Sequence, residues 1–221
     1  MNLPLKIKKE SGLTLTELII TTILIAVVMV GIASMDVALR QSEKGTTRNA
    51  LAAMRTNNLM FHIRKNLELA TGDANNPGAI CADSTGVICN PATGACSCIA
   101  AANLWIRIEN PVIPVAARTI NYNDDLWVMY RYNANSLFFC SQVTAGSNNP
   151  TTITNCPVGA LEENLGPLVS FDVNPVLNRA AQEFYTEITL RNRIDPAHPA
   201  DTFDNPEQVL TAKVLPLLSS F

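Results

Sequence analysis

Residues 18–35 read LIITTILIAVVMVGIASM, eighteen positions without a charged side chain, and the five residues before them, Leu13-Thr14-Leu15-Thr16-Glu17, add one carboxylate. Twenty-three residues suffice for a helix to cross a hydrocarbon core of about 30 Å. Lys6, Lys8 and Lys9 precede the run and no second run of that length follows it. By the positive-inside tendency this flank keeps the N-terminus cytoplasmic and carries everything beyond Met35 across the membrane.

Charge elsewhere is uneven. Residues 36–70 carry six basic and three acidic side chains, whereas residues 71–221 carry seven basic and fourteen acidic ones. The C-terminal part therefore has no basic footprint for a phosphate backbone, and nucleic acid is not expected as a partner of this chain. The overall composition, 48% hydrophobic with 16% charged residues, reflects the apolar run.

Glu17 is the anomaly within that run. An unpaired carboxylate at depth in a bilayer costs ~2.5 kcal/mol or more, less near the interface, so such a residue asks for a reason. One reason is local: Thr14-x-x-Glu17 has the spacing of a capping box. A plain signal anchor, or a secretory signal cut after the small residues Gly31-Ile32-Ala33, would leave the position of Glu17 unexplained.

The residues Lys8-Lys9-Glu10-Ser11-Gly12-Leu13-Thr14-Leu15-Thr16-Glu17-Leu18-Ile19 resemble the N-terminus of type IV prepilins and type II secretion pseudopilins. That family has a short basic leader ending in Gly, an apolar residue after the cut, and a Glu five residues into the mature chain. The resemblance implies cleavage between Gly12 and Leu13 by a prepilin peptidase, N-methylation of Leu13, and assembly into a helical filament. Within it, Glu17 sets the register between subunits by meeting the new α-amino group of Leu13. Leu13 stands where Phe is usual, and no proline interrupts the apolar helix; both features fit a minor subunit better than a major one.

Four segments are expected: a leader at 1–12, a membrane or filament-core helix at 13–35, an amphipathic stem helix at 36–70, and a β-rich extracytoplasmic head at 71–221. In the stem, Leu59, Ile63, Leu67 and Ala70 recur at helical spacing. Gly45-Thr46-Thr47 is a candidate bend, and Thr71-Gly72 with Asn75-Asn76-Pro77-Gly78 is a stop signal. In the head, period-two patterns predict strands over 104–109, 126–133, 136–142, 169–173, 184–191 and 209–214. Ala134-Asn135 makes 126–133 and 136–142 a hairpin, and 160–165 reads as one helical turn. The fold expected is α+β, a long N-terminal helix packed on an antiparallel sheet with a disulfide-bearing loop region, like the larger minor pilins and the J-type pseudopilin.

All six cysteines, Cys81, Cys89, Cys96, Cys98, Cys140 and Cys156, lie in the head, which in the argued orientation faces an oxidising compartment. Cys140 and Cys156 are expected to form a bridge worth about 3 kcal/mol. The other four leave the connectivity open. Their spacing matches no common zinc pattern, so neither metal nor cofactor is expected. Asn121-Tyr122-Asn123-Asp124-Asp125 gathers oxygen donors but reads as a turn between strands. With two His and no nucleophile–base constellation or phosphate loop, no enzyme is expected. The function anticipated is structural: a minor pilin or pseudopilin in the inner membrane, then in a filament, with other subunits and the peptidase as partners. The alternative is a membrane-anchored binding domain that never polymerises.

Overall fold

In the computed structural model the chain forms one long helix, α1 (Leu15–Glu68), followed by nine strands. These are β1 (Ala79–Ala82), β2 (Ile88–Cys89), β3 (Asn103–Ile108), β4 (Leu126–Asn133), β5 (Ser136–Val143), β6 (Leu161–Pro167), β7 (Ser170–Asn178), β8 (Glu183–Asn192) and β9 (Gln208–Val214). The structure describes residues 14–73, 76–82, 88–89, 97–99, 103–110, 112–114, 124–143, 156, 160–178, 183–201 and 204–216. The contacts divide the chain into two units, residues 1–44 and 45–221.

In the first unit every described residue of the helix is exposed. In the second, residues 45–68 of α1 are amphipathic. Ala52, Thr56, Leu59, Ile63 and Leu67 follow each other at three- and four-residue intervals and, with Met60 beside Leu59, are all buried. Gly45-Thr46-Thr47 does not break the helix, which continues through these residues. An interior glycine costs only about 1 kcal/mol in a helix, which the flanking helix formers and the packing that buries Gly45 absorb. The stop is close to where it was expected. Leu69 N donates to Asn66 O at 3.2 Å and Ala70 N to Leu67 O at 3.1 Å, which tightens the last turn. The chain then doubles back so closely that a Cβ on Gly72 would come within 2.4 Å of Gly78 N, leaving no room for a side chain.

The strands form not one sheet but two: six strands in the order β2-β1-β3-β4-β5-β6 and three in the order β7-β8-β9, all antiparallel. Residues Leu59, Met60, Ile63 and Leu67 of the helix share one core with Leu104, Ile106, Val128, Tyr130 and Leu137 of the larger sheet and Phe171, Ile188 and Leu190 of the smaller. The other face of the larger sheet is apolar as well. Ile80, Trp105, Trp127, Met129 and Cys140 form a second buried cluster there, so β1 reads as an unbroken apolar run and β3 carries three apolar residues in succession, Leu104-Trp105-Ile106. The architecture is α+β, as the pattern of elements implied, with the C-terminal part of a long N-terminal helix on antiparallel sheets and a disulfide-bearing loop region. It is consistent with a pilin-like arrangement.

The β4–β5 hairpin falls where Ala134-Asn135 put it. Both residues have positive φ, 46° and 58°, as a two-residue turn of type I′ requires. Two expectations need correction. The segment over 160–165 is not a helical turn but most of β6, which pairs with β5 from Ser141↔Leu161 to Ser136↔Pro167. Leu-Glu-Glu favours helix locally, yet the open edge of β5 offers a ladder of backbone partners, and Arg131 of β4 reaches across to an ion pair with Glu162. The strands β1 and β2, four and two residues long, were not expected at all, because so few residues carry no period.

Candidate functional site

The apolar part of α1 is bounded by charge on both sides. Glu17 lies at its start, and the exposed i,i+4 ion pair Asp36–Arg40, 2.9 Å apart, lies just past its end. Between them, residues 18–35 span about 27 Å at 1.5 Å per residue, close to the hydrocarbon thickness of a bilayer. The richest eighteen-residue window has a mean hydropathy of 2.6, and none of it is buried. This is one helix long and apolar enough to cross a membrane.

A helix surrounded by apolar groups must satisfy its polar atoms internally. The hydroxyl of Thr21 donates to the carbonyl oxygens of Glu17 and Leu18, both at 2.9 Å, that of Thr22 to Ile19 O at 2.9 Å, and that of Ser34 to Gly31 O at 2.8 Å. Each hydroxyl thus closes on its own helix, and the surface offered outward is aliphatic.

Glu17 is held the same way. The helix begins at Leu15, which makes Thr14 the N-cap and Glu17 the third helical residue. The Glu17 Oε2 accepts from Thr14 N and from Thr14 Oγ1, both at 2.9 Å, and Glu17 N donates back to Thr14 Oγ1 at 3.4 Å. This is a complete capping box, anticipated from Thr-x-x-Glu. Both bonds from Thr14 fall on Oε2, so the cap uses one of the two carboxylate oxygens. Gly12 and Leu13, the expected cleavage and methylation site, lie outside the described residues.

In the head, Cys140 is bonded to Cys156, with Cα atoms 5.8 Å apart, and Cys81 is bonded to Cys98, with Cα atoms 6.2 Å apart. Cys89 is disulfide-bonded too, while Cys96 lies outside the described residues. The Cys81–Cys98 bond was one of the connectivities left open, and its position explains the pairing. Cys81 sits on β1, and Cys98 forms an isolated antiparallel bridge with Val173 of β7. The bond therefore ties the six-stranded sheet to the three-stranded one. Of the oxygen-donor cluster, residues 121–123 lie outside the described residues; Asp124 is in a turn, and Asp125 accepts from Thr71 Oγ1 at 2.8 Å, which fixes the helix stop to the start of β4.

A buried polar group that was not singled out from sequence locks the stem onto the sheet. The hydroxyl of Tyr130, a fully buried residue, donates to His62 O at 2.9 Å. Its one proton being committed there, the Asn66 amide at 2.5 Å and His62 Nδ1 at 2.8 Å must both donate to it, which places the imidazole proton on Nδ1. The His62 ring also meets Phe139 edge-on, centroids 4.9 Å apart. His62 and Asn66 lie one helical turn apart, which was the available signal; Tyr130 joins them only through the strand register. Burial depresses the pKa of His62 and raises that of Tyr130, so both are neutral in this network. Its chemistry is that of a clamp.

No protein-family model, curated protein or solved structure matches this chain.

Proposed function

We propose that the chain is a structural subunit, a minor pilin or pseudopilin of a type IV pilus or type II secretion pseudopilus. In this reading it is made as a single-pass inner-membrane precursor with its N-terminus in the cytoplasm and its head outside. It is cut by prepilin peptidase between Gly12 and Leu13, methylated on Leu13, and built into a helical filament or onto its tip by contacts with other subunits. The observation that carries the reading is the wholly exposed aliphatic helix that opens on a carboxylate held in a capping box. In a filament that carboxylate would be surrounded by apolar helices and would need a cation. The α-amino group released on Leu13 is the one the cut would supply, and the Glu17 oxygen not used by the cap can receive it.

The test is incorporation. A tagged full-length chain is expressed in its host, and sheared filaments are probed for it and for co-purifying subunits. Glu17→Ala is expected to insert and be cut normally but to be depleted from the filament fraction. Glu17→Gln keeps the cap and separates capping from charge pairing; it should be depleted as well. Equal incorporation of all three forms would contradict the role of Glu17, and absence of the unaltered chain from every filament fraction would favour an anchored domain that does not polymerise.

A further inference from the structure

The two sheets leave four edges, and three of them are closed to further pairing. Strand β2 has only two residues. Strand β6 carries Glu162 and Glu163, shifts register against β5 between Leu137 and Phe138, and turns at Gly166 with φ 125°. The charges and the irregular register discourage an added strand. The outer edge of β7 is engaged at Val173 by Cys98, in hydrogen bonds of 2.8 Å in both directions.

Strand β9 differs. Its seven residues, Gln208-Val209-Leu210-Thr211-Ala212-Lys213-Val214, pair with β8 in unbroken register from Asn192↔Gln208 to Thr186↔Val214. No strand pairs with its other side among the described residues. It has no proline, no bulge and a single charge. Val209, Thr211 and Lys213 on its outer face are exposed, and Leu210 and Ala212 on the core face are only partly covered. Every second residue of such an edge turns its N–H and C=O away from the sheet, which makes it a template for one more strand.

We propose that this edge pairs with the same edge of a second copy of the chain, antiparallel and centred on Thr211, so that β7-β8-β9 becomes half of a continuous six-stranded sheet. The strand is complementary to itself in that register. All seven residues find partners: Thr211 faces Thr211 of the second copy, Leu210 faces Ala212, and Val209 faces Lys213, whose aliphatic stem can cover it. No like charges are opposed. Glu207 lies on the same outer face; its Oε2 is held by Arg193, whose Nε donates to it at 2.8 Å, while its Oε1 lies 3.9 Å from Arg191, which itself stands beside Val209 across the ladder. The register places Lys213 of each copy diagonal to Glu207 of the other, within reach of a long side chain, twice over by symmetry. A two-fold contact closes on itself and recruits no third copy. It is therefore a property of the free chain and does not depend on the filament reading.

Cysteine cross-linking of the full-length chain in native membranes, driven by copper–phenanthroline oxidation, reads the register directly. Residues facing each other across an antiparallel pair have Cα atoms about 4.5–5.5 Å apart, within reach of a disulfide. Thr211→Cys is expected to give a dimer on non-reducing gels that disappears on reduction. Val209→Cys and Lys213→Cys should give at least five-fold less, because each is four residues, about 13 Å, from its own mate. Adding Lys213→Glu to Thr211→Cys puts a carboxylate near Glu207 of the second copy and should cut the dimer yield at least three-fold. Equal cross-linking at all three positions, none at Thr211→Cys, or a yield unaffected by Lys213→Glu would overturn the proposal. Because these side chains are exposed, the single substitutions leave the core intact.

Discussion

Cys98 and Val173 exchange backbone hydrogen bonds in both directions, each 2.8 Å long, while the Cys98 sulfur is bonded to Cys81 on the neighbouring sheet. One residue thus extends β7 and anchors β1. The bridge closes a loop of sequence separation 17, for which chain entropy gives about 3 kcal/mol. The double substitution Cys81→Ser, Cys98→Ser should lower the urea midpoint of the full chain accordingly and speed hydrogen exchange at the Val173 amide. An unchanged midpoint would mean that the sheets hold together without the bond.

The Tyr130 hydroxyl serves three partners on the stem helix. Tyr130→Phe should cost about 1–3 kcal/mol, because His62 O, His62 Nδ1 and the Asn66 amide lose their shared partner in a largely buried site. A double-mutant cycle with Asn66→Ala should be clearly non-additive in urea unfolding. Additive effects would show that the two side chains do not act through one network.

His62 makes stability depend on pH. Burial lowers its folded pKa, with Lys65 adding to the effect and Glu163 opposing it. Between the folded and unfolded values the unfolded chain binds the proton that the folded chain refuses. The contribution is thus fully present above about 6.5 and lost as pH falls through the folded value. The midpoint of the unaltered chain should fall from about pH 6.5 to 5, and that of His62→Gln should fall less. Asp125, whose carboxyl burial raises, acts in the opposite sense nearer the carboxylate range and is common to both proteins. Parallel curves for the two proteins would remove His62 as the cause.

Ala134 occupies a left-handed conformation, φ 46°, at the first turn position between β4 and β5. That conformation costs a residue with a Cβ about 1 kcal/mol, and Asn tolerates it better. Ala134→Asn should therefore raise the thermal midpoint slightly without altering the fold, and a lowered midpoint would argue against a type I′ turn.

What could be read in advance was what repeats or stands next to itself in sequence. The apolar run is continuous in sequence, the Thr14–Glu17 box spans one helical turn, the stem positions Leu59, Ile63 and Leu67 recur turn by turn, and the Ala134-Asn135 hairpin is equally local. What could not be read depends on partners far along the chain. Leu161-Glu162-Glu163 became strand because β5 had an open edge, and Cys81 found Cys98 because Val173 places Cys98 beside β1. Tyr130 lies opposite His62 only once the strand register is set.

The central claim is that the chain is processed between Gly12 and Leu13 before it acts. Intact-mass and N-terminal peptide spectrometry of the chain purified from the envelope of its native host tests this most directly. The account predicts a mature N-terminus at Leu13 carrying one additional methyl group. A chain that begins at Met1, or at Ser34 after cleavage by a general signal peptidase, would contradict it.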